Sequence, residues 1–146
     1  MVTESVLHQD LKKYIDPESY VLVVDDSTMS RSVLAAMLRE LGLYNVIHET
    51  NGLRALEVLQ KKEFPISLVF SDWQMTGLTG LGLLVRMRAE EDLKKISFVM
   101  VTKSQEAENV QFAGRAGANA YLLKPFTISD LKEKIILSMQ DKKEST

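Results

Sequence analysis

The chain has 146 residues, 45% of them apolar and 26% charged, which suits one domain with a substantial hydrophobic core. A formal net charge of −2 gives no bulk attraction to nucleic acid or to an anionic membrane surface, and the absence of cysteine excludes disulfides, thiolate metal sites and cysteine nucleophiles. No run approaches the ~20 apolar residues of a membrane span, and the N-terminal stretch has no apolar segment of signal-peptide length, so a soluble cytoplasmic protein is expected.

Residues 1–18 read as an extension ahead of the main pattern. Within it Val6, Leu7, Leu11, Tyr14 and Ile15 fall near the spacing of a short amphipathic helix over residues 2–14, ended by Asp16 and Pro17. Residues 20–24 form an apolar, β-branched run that stops at Asp25 and Asp26. Ser27 or Thr28 can cap the following helix, whose Val33, Leu34, Met37, Leu38 and Leu41 share a face and whose stop is Gly42. Residues 45–49 make a short second strand. Asn51 and Gly52 open a helix with Leu53, Leu56 and Leu59 at turn spacing, stopped by Phe64 and Pro65.

Residues 66–71 form the third strand, and the short apolar run that begins at Leu68 ends abruptly in the acid Asp72, as expected of a strand covered on both faces. The loop over residues 73–79 is irregular, with Gly77 and Gly80 as loosening points. A helix over 81–89, a fourth strand over 96–102, a weakly apolar helix over 106–116 and a fifth strand over 119–123 follow. That strand ends at Lys124 and Pro125. Thr127 opens the last helix with Asp130 as its capping-box partner, and Leu131, Ile135 and Met139 are its apolar face. The domain is expected over 19–141, with a frayed tail over 142–146.

Strict alternation of strand and helix argues for an α/β fold: a doubly wound, five-stranded parallel sheet with helices on both faces. In such sheets sites form at the carboxyl ends of the strands, where the strand order reverses. The flavodoxin-like order 2-1-3-4-5, taken over from known sheets rather than derived, puts that reversal between strands one and three. Asp25, Asp26 and Asp72 then flank one point, with Thr102 and Lys124 ending the neighbouring strands. Three carboxylates together need a proton or a cation, and an all-oxygen set favours a hard ion such as Mg²⁺. An ammonium and a hydroxyl on the same rim suit a phosphoryl group. The constellation reads as phosphoryl transfer onto a carboxylate, with Asp72 as the nucleophile.

The runs Val21-Leu22-Val23-Val24-Asp25-Asp26-Ser27, Ser71-Asp72-Trp73-Gln74-Met75, Val101-Thr102 and Leu123-Lys124-Pro125-Phe126 resemble the receiver domain of bacterial response regulators, most closely the single-domain chemotaxis type called CheY. The resemblance covers residues 20–140. It implies that Asp72 accepts a phosphoryl group from a histidine kinase, and that Asp26, Asp72 and the Gln74 carbonyl ligate Mg²⁺ while Asp25 acts mainly through water. It implies a cis Lys124–Pro125 bond, Lys124 paired with the phosphorylated carboxylate, and Thr102 and Tyr121 as the switch. Gln74, Lys103 and Ser104 would tune phosphoryl lifetime. The implied partners are a sensor histidine kinase and an output protein, such as the flagellar motor or another signalling protein, read at a surface around Tyr121, Leu123 and Phe126. No nucleic acid and no membrane insertion are implied, and the protein is expected to be a monomer or weak dimer.

Two positions depart from the family pattern: Thr76 stands where proline is usual, leaving the loop freer, and Lys103 follows the switch threonine where a small residue is usual. These departures motivate the alternative of a phosphorylation-independent adaptor with the same fold. A phosphohydrolase of the haloacid dehalogenase kind fits less well, because that class wants Asp-x-Asp after the first strand. A Rossmann nucleotide-binding domain lacks its glycine-rich loop here.

Overall fold

A computed structural model describes residues 10–103 and 107–144. Of the expected features, residues 1–9 of the N-terminal helix, Ser104 and the start of the fourth helix at Glu106 lie outside the described residues.

Five strands, β1 (Tyr20–Val24), β2 (Val46–Glu49), β3 (Ile66–Asp72), β4 (Ser97–Thr102) and β5 (Ala120–Leu123), alternate with α1 (Thr28–Glu40), α2 (Gly52–Lys61), α3 (Gly80–Ala89), α4 (Ala107–Ala116) and α5 (Ile128–Glu144). The sheet order is β2-β1-β3-β4-β5, and every pairing is parallel. The central strands are covered on both faces, and for that reason their sequences are continuous apolar runs rather than alternating ones. One core layer lies under α1 and α5 and includes Val21, Val23, Leu34, Leu38, Phe70, Val99, Leu131 and Ile135. The other, under α2, α3 and α4, includes Leu22, Val24, Leu56, Val69, Leu83, Met87, Phe98 and Met100.

Local chemistry sets the helix starts. The Ser27 hydroxyl accepts from the Ser30 amide, the Asn51 side chain from the Arg54 amide, and the Thr79 hydroxyl from the Gly82 amide. Thr127 and Asp130 form the reciprocal capping box, with distances of 2.9 and 3.1 Å. Helix α1 ends where Gly42 takes φ +91°, a left-handed turn that glycine enters without steric cost.

Several expectations are corrected in detail. Helix α2 stops at Lys62, which itself adopts φ 55°, ahead of Phe64 and Pro65. Leu53 and Val33 point outward, because the apolar stripe of each helix is narrower than simple turn spacing suggests; Ala55 takes the place expected of Leu53 in the core. Helix α5 runs on through residue 144.

The described part of the N-terminal extension, residues 10–18, packs on the domain. At the end of the stretch where a helix is expected, Leu11–Lys13 form a 3₁₀ turn capped by the Asp10 carboxylate. Leu11 and Ile15 enter the α1/α5 core layer, and Ile15 is only 2% exposed. From there the chain crosses the amino-terminal edge of the sheet. The Glu18 carbonyl accepts from the Asn45 side chain, the Ser19 and Ser67 hydroxyls share a hydrogen bond, and the Tyr20 amide donates to Pro65.

Candidate functional site

The sheet register brings the chemistry-bearing residues level with one another. Val24 pairs with Ser71, so Asp25 and Asp72 leave the sheet at the same height. Asp72 pairs with Val101, and Thr102 with Leu123, so Thr102 and Lys124 arrive on the same edge. One carboxylate oxygen each from Asp25, Asp26 and Asp72 lie within 4.8 Å of one another. The Lys124 ammonium is 3.1 Å from Asp25 Oδ2 and 3.8 Å from Asp72 Oδ1.

Each acid is held by its surroundings. Asp25 is buried. Its Oδ1 accepts from the Ser27 amide, its Oδ2 from Lys124, and its own amide donates to the Glu49 carbonyl. Its backbone carbonyl accepts from Arg31 Nη1 at 2.6 Å. The Trp73 amide is shared between Asp72 Oδ1 at 3.0 Å and the Val101 carbonyl at 3.1 Å, which ties the acceptor loop to β4. Burial raises the Asp72 pKa above the ordinary carboxylate value of 3.8; Lys124 and the Trp73 amide oppose this, and the charges of Asp25 and Asp26 add to it. One ammonium does not balance three carboxylates, and the donor set is all oxygen. The site therefore fits a hard divalent cation.

The other expected residues fall around this centre. Thr102 is buried at the end of β4, and its carbonyl accepts from the Lys124 amide at 2.8 Å. The Lys124–Pro125 bond is cis, as the resemblance implied. Lys103 is exposed and shares with Asp25, Asp72 and Lys124 a cleft of about 540 Å³, otherwise walled largely by apolar side chains such as Met29, Val33 and Phe126. Gln74 and Thr76 are exposed on the loop after Asp72, while Met75 anchors that loop in the core. Tyr121 packs on the α2/α3/α4 core layer with its hydroxyl buried, and Leu123 is exposed.

Two residues of the site were not legible beforehand. The sequence assigns no role to Arg31, because an arginine in the first turn of a helix resembles any solvated charge. Gly80, expected to loosen the loop, instead starts α3 and permits a close approach: a Cβ there would collide with the Asp72 carbonyl, and the Gly80 amide donates to the Trp73 carbonyl at 3.0 Å. Backbone rather than a flexible side chain occupies that space. Gly80→Ala is therefore expected to lose about 1–3 kcal/mol of stability in urea unfolding and to displace the acceptor loop, broadening or shifting the amide resonances of Asp72 and Trp73. Unchanged stability and unchanged resonances would show that the loop yields without cost.

Residues 21–136 match the response regulator receiver domain family. The chain is 37% identical over 132 residues to chemotaxis protein CheY-3 of Vibrio cholerae, covering 90% of this chain and 94% of that protein. It is 39% identical over 115 residues to chemotaxis protein CheY of Pseudomonas aeruginosa, covering 79% and 91%. Among solved structures, chemotaxis protein CheY4 of Vibrio cholerae superposes with a TM-score of 0.72 at 29% identity, covering 80% of this chain and 95% of that one. A CheY-like receiver domain protein of Methanospirillum hungatei gives 0.75 at 27% identity, covering 88% and 98%. The chain belongs to the response regulator receiver domain family and is CheY-like within it.

Proposed function

We propose that the protein is a cytoplasmic phosphoacceptor that takes a phosphoryl group from a histidine kinase on Asp72 and thereby changes its affinity for an output protein, in chemotaxis or motility signalling. The observation that carries this is the set of three carboxylates and one ammonium assembled at the switch point of the sheet. A carboxylate oxygen of Asp72 attacks the phosphorus of a phosphohistidine. The P–N bond breaks, its electron pair stays on the imidazole, and an acyl phosphate remains on Asp72. Lys124, within reach of both Asp25 and Asp72, then pairs with the phosphorylated carboxylate. Asp26, Asp72 and the Gln74 carbonyl would hold Mg²⁺, with Asp25 acting through water. When bound there, the ion supplies neutralisation of charge on the transferred phosphoryl group.

Thr102 and Tyr121 form the switch in this reading, and the surface around Tyr121, Leu123 and Phe126 is the readout. Gln74, Lys103 and Ser104 set how long the phosphoryl group survives. Apart from its own phosphorylation and dephosphorylation the protein is not an enzyme. Among the described residues, no helix is long and apolar enough to cross a membrane.

The test is incubation with acetyl phosphate or phosphoramidate, with and without Mg²⁺. The expected result is one acid-stable, base-labile phosphate per chain, formed only with Mg²⁺. Absence of modification sinks the reading. Partner capture with and without beryllofluoride and Mg²⁺ then separates a switch from a phosphate-independent adaptor, which would bind its partner equally in both.

A further inference from the structure

We propose that Arg31 is a positioning residue for the acid pair, acting on Mg²⁺ through the backbone of Asp25; this rests on the phosphoacceptor reading above. The carbonyl that Arg31 Nη1 grips at 2.6 Å belongs to the peptide unit joining Asp25 to Asp26. A peptide unit is planar, so a donor fixed on its oxygen fixes the plane and with it the directions in which both carboxylates leave the backbone. No other contact described above does this. The Ser27 amide and Lys124 hold the Asp25 carboxylate, and the Asp25 amide is held by β2, but the segment between the two acids has left the sheet.

The guanidinium is itself braced. Arg31 Nη2 donates to the Thr28 hydroxyl at 3.2 Å, and the first turn of α1 that carries both residues is capped by Ser27. Its Nε is buried and has no hydrogen-bond partner among the described residues. Burial of an unpaired donor is costly, and this one is accepted in a geometry that points the other face of the fork at the Asp25 carbonyl. Lysine has no second prong with which to reach Thr28 while holding that carbonyl.

The experiment is a Mg²⁺ titration followed by the fluorescence of Trp73, the chain's single tryptophan and the residue after Asp72, with melting temperatures in EDTA and phosphorylation rates at saturating Mg²⁺. Arg31→Met is expected to weaken Mg²⁺ binding about 10- to 100-fold, the usual range for loss of a group that orients a ligand. Its phosphorylation rate at saturating Mg²⁺ should return to within about threefold of wild type, because the cation, once bound, restores the alignment. Arg31→Lys keeps the charge and one donor and should recover a large part of the affinity.

Wild-type Mg²⁺ affinity in a folded Arg31→Met protein overturns the inference. So does a rate that stays depressed at saturating Mg²⁺ together with a lowered melting temperature, which marks general damage to α1. Should Arg31→Met fail to fold, the decision passes to Arg31→Lys, for which a few-fold weakening supports the inference and wild-type affinity overturns it. A wild-type protein that does not bind Mg²⁺ overturns the phosphoacceptor reading, and this inference with it.

Discussion

Replacing Asp72 by asparagine is expected to abolish acyl-phosphate formation, by on the order of 10³-fold or more, while making the metal-free protein more stable at neutral pH. The two effects have one cause. Asp72 lies level with Asp25 at the sheet edge, half-buried, with Lys124 and one backbone amide favouring its charge. The same crowding that lets three oxygens converge on a cation makes the carboxylate costly without one.

The sign of the pH dependence follows from linkage. The folded-state pKa of Asp72 is raised above 3.8 by burial, so the folded protein binds a proton there more readily than the unfolded chain does. The destabilisation is fully present above the raised pKa, fades as pH falls through it, and is gone below 3.8. Asp72→Asn should therefore exceed wild type in urea midpoint at pH 7 in EDTA, with the gap closing on acidification. Mg²⁺ should stabilise wild type and not the variant, and so narrow the gap from the other side. A variant less stable than wild type at pH 7 in EDTA would show that Asp72 serves the fold through a contact other than its charge. Undiminished phosphorylation would remove it as the acceptor.

The site was legible in the sequence because parallel strands translate chain position into space with little slack. The inner strands β1 and β3 are mainly apolar until they leave the core, so Asp25 and Asp72 mark the sheet edge where the runs end; Thr102 closes β4 in line with them, and Lys124 follows the edge strand β5 at the same end. The helix caps at Ser27, Asn51 and Thr127 were readable for a similar reason, since their hydroxyl or amide competes locally with the backbone. What escaped depends on contacts between distant segments. Gly80 looks like any loop glycine until the Asp72 carbonyl is known to sit where its Cβ would be. Arg31 looks solvated until its donor is seen on the Asp25 carbonyl. Leu53 has helical spacing, but whether a leucine at the margin of an apolar stripe is covered depends on the neighbouring helix, and here it is not. The extension belongs to the same class: the spacing of Leu11, Tyr14 and Ile15 suggested a helix but carried no information about what it would touch.

That extension leads to the second large effect. A double variant, Leu11→Ala with Ile15→Ala, is expected to lose roughly 4–8 kcal/mol of unfolding free energy, since truncating a fully buried leucine or isoleucine costs about 2–5 kcal/mol at each site. Both side chains are buried in the layer that also holds Leu38, Leu43, Leu131 and Ile135. Domains of this kind have total stabilities of about 5–15 kcal/mol, so the loss is a large share of the whole. The two sites lie one turn apart in the same layer, so their effects should not add strictly. With a urea slope of about 2 kcal/mol/M, the midpoint should fall by roughly 2 M or more.

The site should be spared. The extension crosses the amino-terminal edge of the sheet, whereas the carboxylates lie at the carboxyl ends, so molecules that remain folded should take up phosphate at a rate within about twofold of wild type. Residues 21–136 carry the family match, and Leu11 and Ile15 lie outside it. A fragment confined to the matched residues would lose both side chains and should be correspondingly less stable than the full chain. A shift smaller than about 1 kcal/mol in the double variant would mean that the extension merely lies against the domain. An intact midpoint combined with slowed phosphorylation would instead place its influence at the acid site, contrary to the geometry.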